Sequence, residues 1–328
     1  MDSGVERPPQ QRRAARGPPD EAERMSEDIE FDRSRDAVAG AVVEVAPLVR
    51  RIIAPNASPF TFTGTASYLI GKGKVALVDP GPEDARHRRA VLAALDGETV
   101  THIVVTHTHL DHTGGAAAMA EALGAPLVGA GAHRTFRPLH EGETNRLEAG
   151  ADHVYRPDIE LADGDAVTGP GWSLVAVATP GHTANHLAFS LPEADVLLSG
   201  DHVMAWSTSV VAPPDGAMGP YVASLRKLIA RPEDVYLPGH GPALRNARQF
   251  TRHLLGHRLM RESAIRGRLE QGARRIPEIV AELYRGLDPR LAGAAGLSVF
   301  AHLEELVARG EAATDGVPRL DGIYRAAG

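Results

Sequence analysis

Cysteine is absent from all 328 residues, which excludes disulfides, thiolate zinc sites and cysteine nucleophiles together. Any metal site in this chain must therefore be built from histidine and carboxylates. The absence fits a reducing compartment, and a cytoplasmic location is the expectation. Long apolar runs are missing as well. The longest nearly uncharged stretch, Ala116 to Ala132, is interrupted by Glu121, Pro126 and three glycines, so it cannot serve as a membrane span. Nor is there an excess of positive charge: 35 basic against 42 acidic residues give a net charge of −7. That balance provides no global basic field of the kind non-specific nucleic-acid binders carry. What the chain does have is histidine, 15 in all, on a length that allows two domains or one large domain with an appendage. A soluble protein is expected.

Residues 1–36 are rich in Pro, Arg, Asp, Glu and Gln, with Ile29 and Phe31 almost alone as large apolar side chains. Such a segment buries too little surface to offset its ordering entropy, so a disordered tail is expected. It has no apolar core of a secretory signal, and Met1 and Met25 are both acceptable starts. From Gly40 onward, β-rich runs alternate with helices and loops. Ala41–Ala54, Ala66–Ile70, Val75–Asp79, His102–Thr106, Trp172–Ala178, His186–Leu191 and Val196–Ser199 read as strands, and Glu83–Leu95 and Gly114–Leu123 as helices. The polar stretch Arg134–Glu160 reads as an excursion that forms either part of a substrate wall or a long surface loop. After Gly241 the composition shifts. Asn246–Gln271, Ile276–Leu287 and Leu291–Gly310 predict three helices, and Gly310–Tyr324 has hairpin character around Thr314-Asp315-Gly316, a pattern that suggests a winged helix. The division expected is a tail over 1–36, an α/β domain over 37–245 and a helical module over 246–328.

Chemistry concentrates after the strand ending at Thr106, in the run His107-Thr108-His109-Leu110-Asp111-His112-Thr113-Gly114-Gly115. Three histidines and an aspartate within six residues, presented by a loop on a rigid scaffold, are poorly explained as a solvated turn. The same punctuation recurs in Thr179-Pro180-Gly181-His182, Ser199-Gly200-Asp201-His202 and Leu237-Pro238-Gly239-His240, each setting a ligand type beside glycine at a strand end. In this order, these elements resemble those of the metallo-β-lactamase superfamily, over roughly Val42 to Pro242. The resemblance implies an αββα sandwich in which His107, His109 and His182 bind one divalent metal ion and Asp111, His112 and His240 a second, with Asp201 bridging. Two such ions lower the pKa of a shared water and supply hydroxide at neutral pH, and Asp111 also serves to orient that water. Nitrogen and oxygen ligands suit Zn2+ first, with Mn2+ or Fe2+ as alternatives. Asp201 stands where zinc β-lactamases commonly carry cysteine. That points to the branch containing glyoxalase II, lactonases and ribonucleases rather than to antibiotic hydrolysis.

Around these residues, Asp79 is expected to orient a ligating histidine from behind. His186 and His202 are expected in supporting positions and His102 in a structural one; Tyr221 shares a helix face with Leu225, Leu228 and Ile229 and reads first as a core residue, with an oxyanion-stabilising, substrate-binding role as the sharper candidate. Gly114 and Gly115 either face an anion or pack closely under the metal loop. The segment Asn56–Gly64, the stretch Trp206-Ser207-Thr208 and the ending Gly322-Ile323-Tyr324-Arg325 further resemble the β-lactamase-like protein 2 family, which couples this core to a winged helix and includes a single-strand-specific endoribonuclease. One departure is Ala66, where that family usually carries asparagine. Three functions follow. The first is hydrolysis of a small ester, thioester or lactone, which suits apolar Phe60, Phe62, Met204 and Trp206 near the cleft. The second is cleavage of single-stranded RNA, for which residues 245–328 offer 14 arginines against 10 acids, a local net of +4, with Arg252, Arg258, Arg261, Arg266, Arg268, Arg274 and Arg275 along one helix. The same helix face could instead form a homodimer. The third, a DNA-binding regulator, lacks the basic second helix it would need.

Overall fold

A computed structural model describes residues 29–145, 150–286 and 289–328. Most of the expected tail, residues 1–28, lies outside the described residues. Residues 29–36, expected in that tail, are instead packed on the protein. Ile29 and Phe31 lie against the core, Phe31 meets Phe250 edge-on with ring centroids 6.0 Å apart, and the Asp32 N–H donates to the Ala205 carbonyl at 3.0 Å. Two apolar side chains suffice to anchor this strap, although its mean composition is polar.

The first sheet runs in the order β1 (Val42–Ala46), β2 (Val49–Ile53), β3 (Ala66–Lys72), β4 (Lys74–Val78), β5 (Thr99–Val104), β6 (Leu127–Gly129) and β7 (Ile159–Glu160). Its early strands form antiparallel hairpins, and β4 to β7 are parallel, joined through α1 (Ala85–Ala94) and, on the far side of the metal loop, α2 (Leu110–Thr113) and α3 (Ala116–Leu123). The second sheet holds β8 (Ala166–Gly169), β9 (Trp172–Ala178), β10 (Leu187–Leu191), β11 (Val196–Gly200), β12 (Val235–Pro238) and β13 (Leu244–Arg245) in the reverse order, with α4 (Met218–Ile229) crossing between the parallel pair β11 and β12.

Alternation along the strands explains the layering. Val49, Ile53, Tyr68, Ile70 and Val78 point inward from the first sheet and meet Trp172, Leu174, Phe189 and Leu198 from the second. The alternate residues Ile52, Leu69, Leu77 and Ile103 face outward against Val91 and Met119 of α1 and α3. On the other outer face, Val177, Ala188 and Leu197 meet Tyr221, Leu225 and Leu228 of α4. The result is the expected αββα sandwich.

Beyond it, α5 (Ala247–Glu270) continues to β14 (Arg274–Arg275), α6 (Ile276–Leu283), α7 (Ala292–Ala308), β15 (Ala312–Thr314) and β16 (Ile323–Ala326). The antiparallel pair β15 and β16, with β14 on its other side, is the wing, and Ile265, Ile279, Phe300, Leu303 and Tyr324 form its own small core. The expected boundary at 245/246 does not separate two cores. Phe250, Leu254 and Leu255 of α5 belong to the sandwich, whereas Ile265 and Leu269 of the same helix belong to the winged helix. Arg274 and Arg275, read as part of that helix, fall in β14 after it ends. Among the described residues no helix is long and apolar enough to cross a membrane.

Candidate metal centre

The seven sequence-selected residues come from four loops at one edge of the sandwich, each following a strand. The loop after β5 carries His107, His109, Asp111 and His112, the loop after β9 carries His182, and Asp201 and His240 follow β11 and β12. Glycine permits this convergence at Gly239, where an added Cβ would lie 2.4 Å from Asp201 Oδ1 and 2.7 Å from His112 Cε1.

Two foci result. At the first, His109 Nδ1 lies 3.1 Å from both His107 Nε2 and His182 Nε2, and Asp201 Oδ2 stands 4.0 and 3.8 Å from those two Nε2 atoms. At the second, His240 Nε2 is 3.2 Å from Asp111 Oδ2, which is 3.5 Å from His112 Nε2. Asp201 also serves this focus, with Oδ2 3.2 Å from His240 Nε2 and Oδ1 3.5 Å from His112 Nε2. One carboxylate thus stands between the two groups.

The partners behind the rings fix which nitrogens present lone pairs. His182 Nδ1 donates to the Val210 carbonyl at 2.6 Å, His112 Nδ1 to Asp79 Oδ2 at 2.8 Å and His240 Nδ1 to the Gly64 carbonyl at 3.4 Å. Their Nε2 atoms therefore face the cluster unprotonated when the rings are neutral. His112 Nε2 and Asp201 Oδ1 are buried without a hydrogen-bond partner. Converging lone pairs and partnerless buried acceptors suit cations, and the all-nitrogen-and-oxygen donor set fits divalent metal ions.

Protonation follows the same division. Burial, and then the neighbouring histidines, holds His107 well below the ordinary imidazole range, and burial and His182 press His109 down to about 3. Burial also opposes charge on His112 and His240, but the carboxylates around them outweigh it, holding His112 well above its usual value and His240 at about 9. Asp201 is held low by His240 and His112 in spite of its burial.

The supporting residues are placed as follows. Asp79 accepts the Thr106 N–H through Oδ1 at 2.8 Å and, through Oδ2, the Thr106 hydroxyl and His112 Nδ1, each at 2.8 Å. His186 stays behind the cluster. Its Nε2 accepts the Asp201 N–H at 3.1 Å and its Nδ1 meets Thr179 Oγ1 at 2.8 Å. His202 is fully buried and belongs to neither donor group, its ring 4.5 Å from that of Tyr221 and 5.8 Å from that of His186. Tyr221 corrects its assignment as a substrate-binding residue: it has no exposed surface, its hydroxyl donates to the His202 carbonyl at 3.0 Å, and Gly181 packs against its backbone. Its helical spacing with Leu225 and Leu228 already marked the core face. Gly114 and Gly115 likewise pack closely, an added Cβ on Gly114 falling 2.6 Å from the Leu110 carbonyl oxygen.

Several contributors carried no recognisable sequence signal. Thr65 donates to Asp111 Oδ2 at 3.0 Å, and Asn56 brackets Thr65, accepting its N–H and donating to its hydroxyl, each at 2.9 Å. His133, assigned no role from sequence, meets Thr108 Oγ1 at 3.0 Å and lies 3.7 Å from the buried Asp215. Only the resemblance of Asn56–Gly64 pointed toward any of these.

A strand-end cluster of histidines and aspartates on an αββα sandwich defines the metallo-hydrolase class. The chain belongs to the metallo-beta-lactamase superfamily, which it matches over residues 60–240, and residues 276–317 match the beta-lactamase associated winged helix domain. It is a hydrolase of that superfamily. The beta-lactamase-like protein 2 homolog of Caenorhabditis elegans is 30% identical over 228 residues, 68% of this chain and 72% of the nematode protein. An atrochrysone carboxyl ACP thioesterase of Aspergillus fumigatus is 29% identical over 227 residues, 67% of this chain and 64% of its own length. The chain thus spans less than two thirds of that fungal relative. Among solved structures, a beta-lactamase domain protein from Burkholderia ambifaria superposes with a TM-score of 0.71 at 25% identity, covering 89% of this chain and 95% of the other.

Proposed function

We propose that this protein is a binuclear metal-dependent hydrolase of small acyl substrates, an ester, thioester or lactone, with thioesters foremost. The carrying observation is the pair of donor foci that share Asp201. His107, His109 and His182 would hold one ion, Asp111, His112 and His240 the other, and Asp201 both. When bound, such ions lower the pKa of a water between them and polarise the carbonyl under attack, and zinc suits this donor set best. The side chain of Asp111 is about a quarter exposed, at 26%, and Thr65 fixes one of its oxygens, so its carboxylate can orient an incoming water.

Four further observations support an acyl substrate over RNA. The fungal relative is named a thioesterase. Phe62 and Trp206 stack at 4.9 Å and line a cavity with Phe60 and Met204. Of the arginines read as an RNA track, Arg258 and Arg261 turn inward to the Ser209 and Leu283 carbonyls, and Arg266 and Arg268 are paired at the surface with Glu311 and Glu282. Phe250, Phe300 and Tyr324 are buried rather than offered for base stacking.

The test is an assay of zinc-loaded protein on a thioester and lactone panel and on labelled single-stranded RNA. Asp201→Ala should reduce thioester cleavage to the level of chelator-treated protein while leaving the circular dichroism spectrum intact. Cleavage of RNA alone, or a variant that keeps most of its rate, would overturn the reading.

A further inference from the structure

Between the sandwich and the winged helix lies a cavity of about 450 Å3 that contains none of the seven donor residues. Segment 204–210, continuing from Asp201-His202, forms one wall. Parts of α5 and α7 form another, and the strap residues Arg33 and Arg35 stand at its rim. Three arginines and no carboxylate line it, in a chain whose acids outnumber its bases by 42 to 35.

Arg258 is the unusual member. It is only 3% exposed, and its guanidinium donates to the Ser209 carbonyl at 2.6 Å and the Ser298 hydroxyl at 3.2 Å, with the Tyr221 ring centroid 5.1 Å away. Among the described residues no carboxylate pairs with it. Its Nε, the buried Ser209 hydroxyl and the Trp206 indole N–H all lack a hydrogen-bond partner, and all three residues line the cavity. A buried cation without a counter-ion is unfavourable, and so is a buried donor left unbonded. An anion supplied by a ligand relieves both. The rest of the lining is mixed, with Phe60, Phe62 and Leu291 apolar and Ser207, Thr208, His257 and Tyr284 polar. The cavity also adjoins the donor cluster: the Val210 carbonyl holds His182, and the carbonyl of the preceding residue, Ser209, holds Arg258.

We propose that this cavity receives the anionic end, phosphate or carboxylate, of an acyl substrate, with Arg258 as its inner anchor and Arg33 and Arg35 at its mouth. This assignment rests on the acyl-hydrolase reading of the donor cluster, yet the binding step can be measured without that chemistry.

The chain has two tryptophans, and Trp172 is sealed between the sheets, so a ligand-dependent change in indole fluorescence reports on Trp206. Metal-free, full-length protein is titrated with inorganic pyrophosphate and, separately, with glutarate. A saturable change with pyrophosphate assigns the site to phosphate, and one with glutarate alone assigns it to carboxylate. The Arg33→Ser/Arg35→Ser double variant, altered only at exposed positions, should bind about tenfold more weakly, the scale of a lost charge-assisted hydrogen bond. Arg258→Met should abolish the response, and the rim variant carries the test whether or not that protein folds. No saturable change with either anion, or equal binding by wild type and the rim variant, would overturn the assignment. In the metal-loaded protein, the ratio of kcat/KM for a coenzyme A thioester to that for the uncharged N-acetylcysteamine thioester of the same acyl group should fall in the rim variant. Anion binding without hydrolysis of either thioester would sink the acyl reading while leaving the cavity assignment standing.

Discussion

At Asp79 the backbone turns through a positive φ of 50° directly after β4, and the carboxylate it presents belongs to neither donor focus. It joins the Thr106 backbone and hydroxyl to the His112 ring, so a single side chain sets both the start of the metal loop and the tautomer of one donor. In Asp79→Asn, one carboxylate oxygen becomes an NH2 that cannot accept from these donors. We expect metal affinity at the focus of Asp111, His112 and His240 to fall by about 10–100-fold with the fold retained. Metal content after dialysis against a graded zinc buffer checks this, and unchanged retention would show that Asp79 serves only the backbone. The sequence displayed the seven donors because their type and their glycine punctuation are rare outside metal sites. Thr65, Asn56 and His133 were illegible because one threonine or asparagine in a loop looks like any other until the fold sets its partner beside it. Tyr221 was misassigned for the opposite reason, since a polar tip on an apolar face does not say from sequence alone which way it points.

Among the elements, strands and long helices were legible because their periodicity is enforced by burial on one face, as Ile52, Leu69 and Leu77 alternate with Ile53, Tyr68 and Val78. The short β6 and β7, and the strap at 29–36, were not, because pieces of two or three residues or an isolated Phe31 have no period to detect. In the excursion, charge joins the part around Arg137 to the winged helix. Arg137 lies between Glu143 of its own loop, at 2.6 Å, and Glu304 of α7, at 2.5 Å, with all three side chains one fifth exposed or less. Burial shifts Glu304 upward in pKa even against that arginine, so loss of the cation leaves an acid poorly placed for charge. Arg137→Ala should lower unfolding free energy by about 1–3 kcal/mol, the range for a lost charge-assisted hydrogen-bond pair. It should also open the loop to limited proteolysis. Urea denaturation and protease mapping read these effects, and equal stability would mean that other contacts, such as the Arg319 bond to the Glu141 carbonyl at 2.8 Å, dock the loop on the winged helix without Arg137.

For the whole molecule, α5 decides whether this is one folding unit or two. A chain cut at residue 245 keeps every donor residue and both sheets, but it removes Ala247, Phe250, Leu254 and Leu255 from the outer face of the second sheet. At about 1.5–3 kcal/mol for each large buried apolar side chain, the loss of Phe250, Leu254 and Leu255 alone amounts to roughly 5–9 kcal/mol, comparable to the entire stability of a typical domain. The strap loses its partner as well, since Phe31 packs on Phe250. We therefore expect a 29–245 fragment to be insoluble, or to lack a cooperative thermal transition by circular dichroism, with or without zinc. A fragment extended to residue 270 should regain the sandwich while exposing Ile265 and Leu269, and so should fold but self-associate. A soluble, cooperatively melting 29–245 fragment would show that the sandwich is complete without the helix. The winged helix would then be a separable attachment, and the cavity on its near side would lose the α5 wall together with Arg258, which that helix carries.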